Sequence, residues 1–591
     1  MALATRAEID KELTWNLDDI FPDENTYERA LADVCDTAKA FAGKYKNNIG
    51  TLDTAGLESA LSAYADLIGR MQQVGVYASL AMAADYTDQA AKRRMLVMRQ
   101  ALTPIQAELS FFQSELLELE TERLQPFENG SFGAFVANLL REKPHRFSPE
   151  TERVLAAMSS LRDLPSELYE AAKLGDLTFP DFTVGDTVYP LSYSLYETVY
   201  AETPDTDVRH RAHDIFYDTI ASQRQAIGLA YFTEVAAQKT LADLRGYDSV
   251  FDMLLSDQQV TRDLYERQID VLMRDLAPVM RRYAAKLKAN YGLETLTYAD
   301  LRLPALPAKD RAVSIAEAWS LAMAALDVMG PDYQSVVTRA KDERWVDFAQ
   351  NIGKSTGGFC ASVPAVHPYI LLNWNGGFSE VFTLVHELGH AAQTLISAEH
   401  NNILQEDPSL YFVEAPSTIH ELLLTNHLLA AGDDPETART VAAQMVGKTY
   451  FHNCVTHLLE AAFQRDVYRA VEAGEGLSAD DFDRLFLNIL RRFWGDAVSL
   501  PESSGRTWMR QPHYYMGLYP YTYSAGMVVS TQVSKNIREQ GEPAVKAWID
   551  TLKLGGSRSP VELARAAGVD LLSEAPLHTM VQVIGELVDL I

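Results

Sequence analysis

The chain has 591 residues, several times an ordinary domain, with 81 acidic against 52 basic side chains and a formal net charge of −29. That excess repels phosphate backbones and lacks the basic footprint that nucleic-acid binding needs. Hydrophobic residues make up 47% of the chain, yet no run approaches the ~18 consecutive apolar residues of a membrane span, so a soluble globular protein is expected.

Cysteines are three, Cys35, Cys360 and Cys454. Their odd number and wide spacing exclude a disulfide framework and a CxxC pair, and favour a reducing compartment. The first residues show no basic segment followed by an apolar run, so the expected setting is cytoplasmic.

In chain order, residues 53–128 read as long helix, rich in Ala, Leu, Met, Glu and Gln, with apolar side chains recurring at three and four, as in Ala78–Leu119. Proline and glycine near 126–133 and 175–190 punctuate it. The alternation across Asp176–Tyr189 predicts a short hairpin or extended connector before a new helical block near Thr206. A second connector, Tyr298–Lys309, holds Pro304 and Pro307. The one convincing β region runs from Trp345 to Trp374, and helix resumes near Ser379 to the C-terminus. Part of 357–373 is expected to serve as an edge strand for an extended peptide, with Pro364 and Pro368 suited to an edge and Gly357 and Gly358 allowing close backbone approach. The run Gly353-Lys354-Ser355-Thr356 ends like a phosphate-binding loop, but Phe348 stands where that loop needs its first glycine.

Chemistry enters at His386-Glu387-Leu388-Gly389-His390. On a helix with Ser379 as its expected N-cap, the two imidazoles project from one face a turn apart and can reach one zinc at ~2.0–2.1 Å. Glu387 is placed to act as general base toward water at that metal. Val381, Phe382, Leu384, Val385 and Leu388 make the helix apolar on most sides, so buried polar groups here need a partner, and a metal supplies it. A third ligand must come from later in the chain. Glu414, 24 positions after His390, is a candidate, although a carboxylate at a helix start can equally serve the helix dipole. Glu421, two turns further, could hydrogen-bond a ligand histidine.

These residues resemble the oligoendopeptidase F group within the thimet-oligopeptidase-like metallopeptidases. The likeness includes Trp15-Asn-Leu17-Asp-Asp-Ile-Phe-Pro, His367-Pro-Tyr-Ile-Leu-Leu-Asn-Trp, Phe382 to His390, Glu414-Ala-Pro-Ser-Thr-Ile-His-Glu421 and a late tyrosine-rich segment. Gln393 stands where such proteins often carry histidine. The resemblance implies Glu414 as third ligand of a single zinc ion. It implies a mainly α fold: a two-lobed helical ellipsoid split by a deep cleft, with a small β-sheet beside the motif helix. We place the N-terminal helical lobe at 1–190 and the catalytic domain at 191–591. Oligopeptides are the implied substrates.

Transition-state groups are sought between Trp508 and Gly526, where five tyrosines fall within ten residues. A peptide oxyanion needs neutral or cationic donors. His513, Tyr521 and then Tyr519 are the candidates, supported by the resemblance, while Tyr514, Tyr515 and Tyr523 are expected to pack. Two rivals remain. A zinc carboxypeptidase or dipeptidyl carboxypeptidase would need a cation for the terminal carboxylate, from Arg510 or Arg506. A peptide-binding protein with a structural zinc would have no use for Glu387.

Overall fold

The computed structural model describes residues 3–307, 311–431 and 434–591. It is mainly helical with two small sheets, as expected. The 308–309 part of the second connector lies outside the described residues. The chain forms two compact units, each assembled from three stretches: Met1–Pro144, Asp310–His427 and Val533–Val569 in the first, His145–Lys309, Leu428–Gln532 and Asp570–Ile591 in the second. A division after residue 190 follows sequence order, whereas these groupings interleave.

In the first unit, helices Glu24–Tyr45, Thr54–Ala84 and Gln89–Glu118 start at Asp23, Asp53 and Asp88, whose side chains accept from the backbone N–H of Thr26, Gly56 and Ala90. Asp88 explains why the pattern over Ala78–Leu119 is two helices: the chain stops at Ala84 and is recapped four residues later. Their apolar faces meet in an aromatic cluster, where Phe41, Tyr45, Tyr64 and Phe112 lie 4.6–5.9 Å apart between ring centres.

The β region folds into a three-stranded sheet. Tyr369–Leu371 is central, parallel to Val346–Asp347 and antiparallel to Phe359–Ala361. Thus the edge expected somewhere in 357–373 falls at 359–361, while 369–371 is buried in the middle. Pro364 and Pro368 lie outside both strands, in their connection. Trp15 packs on Phe359 and edge-on to Tyr369, whose hydroxyl donates to the Asn16 carbonyl at 2.8 Å.

The phosphate-loop lookalike has a structural use. Lys354 is buried, its Nζ 2.6 Å from Asp347 Oδ1 and donating to the Asp347 and Ala349 carbonyls. Arg6 also pairs with Asp347, which is fully buried. One carboxylate therefore holds two cations and clamps the N-terminal segment onto the sheet.

In the second unit, the Arg262–Asn290 helix buries Tyr265, Ile269, Leu272, Leu276, Met280 and Tyr283 along one stripe, against helices Ala575–Leu590 and His457–Glu472. The expected connector before 190 is a hairpin, Phe182–Val184 with Thr187–Tyr189. Arg209 and Asp300 form a buried ion pair at 2.6 Å. No helix among the described residues is long and apolar enough to cross a membrane.

Removing the shared carboxylate strands Lys354 as a buried cation. Asp347→Asn should cost about 3–5 kcal/mol, read as a lowered denaturation midpoint. An unchanged midpoint would show that the clamp contributes nothing.

Candidate metal centre

The motif helix runs Ser379–Ala398 and buries Val381, Phe382, Leu384, Val385, Leu388, Gly389, Ala391 and Ala392. Ser379 is its first residue rather than its cap, and Phe378 precedes it. His386 and His390 present their rings edge to face at 5.1 Å. The second helix, Ala415–Ala431, begins directly after Glu414 and buries every side chain from Ala415 to Thr425.

Gly389 lets these helices meet. A Cβ there would press on the Pro416 carbonyl and lie 2.7 Å from Ser417 Cα, closer than real contacts allow. Backbone therefore packs on backbone, and Glu414 arrives opposite the two histidines. His420 secures the crossing from a fully buried position: its Nδ1–H donates to the Val385 carbonyl at 2.9 Å, and its Nε2 accepts from Tyr333 Oη at 2.6 Å. Burial pushes the His420 pKa down to about 3, so the ring serves as a neutral brace.

Glu414 Oε2 lies 3.5 Å from His386 Nε2 and 3.5 Å from His390 Nε2. That is long for a hydrogen bond. It matches the ~3.3–3.5 Å edge of a tetrahedron whose metal–ligand bonds are ~2.0–2.1 Å. His386 Nδ1–H donates to Glu421 Oε1 at 2.8 Å, so Nε2 is the nitrogen that faces Glu414. Ser417 Oγ donates to Glu414 Oε2 at 2.9 Å and orients the carboxylate.

Burial works to lower the His386 pKa, but the Glu421 hydrogen bond and the charges of Glu421, Glu387 and Glu414 outweigh it and raise it to about 9. For Glu414 burial acts upward, yet His390, His386 and Ser417 bring it down to about 2. Glu387 is 6% exposed, burial raises its pKa, and its Oε2 has no hydrogen-bond partner among the described residues. Gly358 sits beside it: a Cβ there would lie 3.4 Å from Glu387 Oε1. Two imidazole nitrogens and a carboxylate oxygen on one side, with an unsatisfied buried carboxylate next to them, fit a four-coordinate borderline cation with one position left for a small ligand.

The second unit gathers other expected residues. His513 and Tyr519 lie 5.3 Å apart between ring centres, and both are half-buried. Tyr523, expected to pack, stands 5.4 Å from Tyr519 and stacks on His457 at 3.9 Å. Tyr521 is not with them. It is 1% exposed, and its hydroxyl donates to Gln258 Oε1 at 2.6 Å inside the core. A helix starts at Tyr521, and this turn aims its ring inward, which corrects its choice as first oxyanion donor. Tyr514 packs between Tyr231 and Phe463, and Tyr515 stacks on Tyr169. Arg510 donates to Glu197 at 2.6 Å and to Tyr217 Oη at 3.2 Å, and Arg506 pairs with Asp218 at 3.2 Å, so both candidate carboxylate receptors are engaged. Ser417, His420 and Tyr333 escaped sequence reasoning because serine, histidine and tyrosine on apolar helices carry no spacing signature. Gly389 was readable in part, as a small residue inside an otherwise apolar helix.

A model of peptidase family M3 matches residues 199–582, and one described as oligopeptidase F matches residues 115–179. The chain is 25% identical over 594 residues to oligopeptidase PepF of Bacillus subtilis, spanning 99% of this chain and 88% of that one. It is 24% identical to an oligoendopeptidase F homolog of Borreliella burgdorferi, spanning 98% of each. A crystal structure from Chlamydophila abortus superposes with a TM-score of 0.87 at 21% identity over all of both chains. Oligoendopeptidase-F from Enterococcus faecium superposes with 0.72 at 20% identity, over 96% of this chain and 97% of that one.

Filling the space at Gly389 should part the two helices. Gly389→Ala is expected to cost about 1–3 kcal/mol and to lose the zinc equivalent of the 386/390/414 centre in dialysed protein. Gly75→Ala, in open space on a helix, should leave uptake intact and be neutral or stabilising by up to about 1 kcal/mol. Full zinc uptake by Gly389→Ala would refute the role of the crossing.

Proposed function

This chain belongs to peptidase family M3 and is a metallopeptidase, and on that premise we propose a zinc-dependent oligoendopeptidase that cleaves internal bonds of short, unstructured peptides with water activated by Glu387. The observation that carries the reading is Glu414 Oε2 at 3.5 Å from both imidazole Nε2 atoms, with the buried Glu387 carboxylate one residue from His386.

His386, His390 and Glu414 would hold the zinc ion. When bound, it polarises the scissile carbonyl and makes a coordinated water more acidic. Glu387 takes a proton from the attacking water and later delivers it to the leaving amine, so one residue serves as base and then acid. Its unpartnered Oε2 is free to make that bond. Glu421 keeps the His386 proton on Nδ1, and Ser417 keeps the Glu414 oxygen turned toward the histidines. His513 and Tyr519 are the proposed donors to the oxyanion. The edge strand Phe359–Ala361 is the proposed seat for an extended substrate, since main-chain pairing tolerates varied side chains. Gly357 next to it adopts φ 79°, a conformation that suits glycine.

The exopeptidase alternative loses support from the engagement of Arg510 and Arg506 within their own unit. The structural-zinc alternative leaves the buried Glu387 without a purpose.

An internally quenched peptide blocked at both ends should be cleaved by the parent. Glu387→Gln should lose about 10²–10⁴-fold in kcat while keeping its zinc, measured by metal analysis of the same sample. Cleavage only of peptides with a free C-terminus would instead establish an exopeptidase.

The tyrosines separate by the same assay. Tyr519→Phe should lower kcat by about 10²-fold or more, as loss of an oxyanion donor does. Tyr521→Phe should cost about 1 kcal/mol of stability and leave turnover near parental. The reverse ranking would return Tyr521 to the reaction.

A further inference from the structure

The second unit holds another convergence of ligating groups, outside the 386/390/414 centre. The chain between Met445 and His457 runs almost entirely as π-helical turns, Met445–Tyr450 and His452–Thr456, before the ordinary helix His457–Glu472 begins. In the second of these turns the His457 backbone N–H donates to the His452 carbonyl, five residues back. Five residues along an α-helix point well away from one another, but across a π turn they come into line. His452 and His457 are accordingly brought to 3.2 Å between their Nε2 atoms. Rare π turns recur at functional sites because they reposition side chains in this way.

Glu460 lies three residues on from His457, on the same face. It is 1% exposed. Its Oε2 accepts from His457 Nδ1–H at 2.7 Å, and its Oε1 has no hydrogen-bond partner among the described residues. His513, from the short turn Pro512–Tyr515, aims Nδ1 at the same oxygen from 3.9 Å. That distance is too long for a hydrogen bond, and this buried nitrogen also lacks a partner. One nitrogen from each histidine and one Glu460 oxygen lie within 4.8 Å of one another. A carboxylate with one hydrogen bond and no solvent is costly unless a cation faces it. Two atoms bonded to one zinc are separated by up to about 4.1 Å, twice a ~2.05 Å bond, so the gap to His513 is one an ion can span.

We propose that His457 Nδ1, Glu460 and His513 Nδ1 form a second site for a divalent transition cation of the zinc type, distinct from the peptidase centre. The donor set, two imidazoles and a carboxylate, suits a borderline cation and not a hard one such as magnesium. Loading displaces the proton from His457 Nδ1, and the neutral ring carries its one proton on Nε2 instead. His457 then keeps a proton on Nε2 and donates it to His452 Nε2, the outer-shell bond that orients a metal-binding histidine. Tyr523, stacked on the His457 ring with a 15° interplanar angle, fixes the ring plane. His513 is affected likewise: a neutral imidazole ligated through Nδ1 carries its proton on Nε2 and so presents a donor outward. On the reading that His513 serves the oxyanion, the ion sets the tautomer that this role requires.

The test is a metal count on full-length protein stripped by chelator and reloaded with zinc, or with cobalt(II) for its visible absorption. The parent should bind about two ions per chain. Glu460→Gln should bind about one and retain the 386/390/414 ion. His390→Ala should bind about one at the Glu460 site and show no turnover. His513→Asn, at a half-buried position, carries the test if Glu460→Gln fails to fold. A parent that binds a single ion, or a Glu460→Gln protein that still binds two, overturns the proposal. Failure of the peptidase reading would appear separately, as a two-ion parent without cleavage of the quenched peptide.

Discussion

The candidate metal centre depends on two helix backbones touching. Where the 379–398 helix meets Pro416 and Ser417, there is no room for even one carbon beyond Cα. The contact sits one residue before His390 and two residues after Glu414, so the rigid main chain, rather than flexible side chains, sets the distance between donors. Side chains on longer tethers would need extra ordering to hold the same geometry, and each immobilised rotamer carries an entropic cost. Glycine transfers that cost to the backbone, which folding has already fixed.

With the crossing fixed, the polar groups are arranged by charge. His386 is hydrogen-bonded to Glu421 on one side and faces Glu414 on the other. Burial works against the charge on Glu414, but His390 and His386 hold that carboxylate in its charged form. Glu387 is the exception. It projects toward Gly358 and the sheet, where burial raises its pKa and nothing donates to Oε2. A carboxylate kept short of partners is the more basic one, so the environment separates the proposed ligand Glu414 from the proposed base Glu387, though both are glutamates close to the same histidines.

What could be read in the sequence follows from how local the determining physics is. The HExxH spacing is set by one helix, so the face shared by its two histidines was visible in a five-residue window. The mainly α character was legible because helical periodicity repeats over long stretches, and the Asp176–Tyr189 hairpin because its alternation is local. Less legible was anything decided by register. Asp88 hides a helix break inside a continuous periodic pattern. Tyr521 and Tyr519 are two residues apart in a run of similar aromatics. Only the start of a helix at Tyr521 turns one ring into the core beside Gln258 and Tyr265. Which strand within 357–373 forms the edge was likewise undecided, because strand order depends on the pairing of Tyr369–Leu371 with Val346–Asp347. Lys354 shows the opposite case: a suggestive local spelling whose use is decided by partners outside it, Asp347 and through it Arg6.

The two histidine–carboxylate groups show why spacing alone is an incomplete guide. In the first, i and i+4 on a regular helix place both Nε2 atoms at equal distance from a third group, and the pattern has a recognisable spelling. In the second, His452 and His457 are five apart, a spacing that an α-helix separates and sequence reading therefore discards. The π turn cancels that separation. Helical periodicity is a statement about an assumed rise and twist, and where the twist changes the face changes with it. Buried polar atoms left without partners, as at Glu460 Oε1 and His513 Nδ1, are then the better indicator of chemistry, because desolvation must be compensated whatever the spacing in the chain.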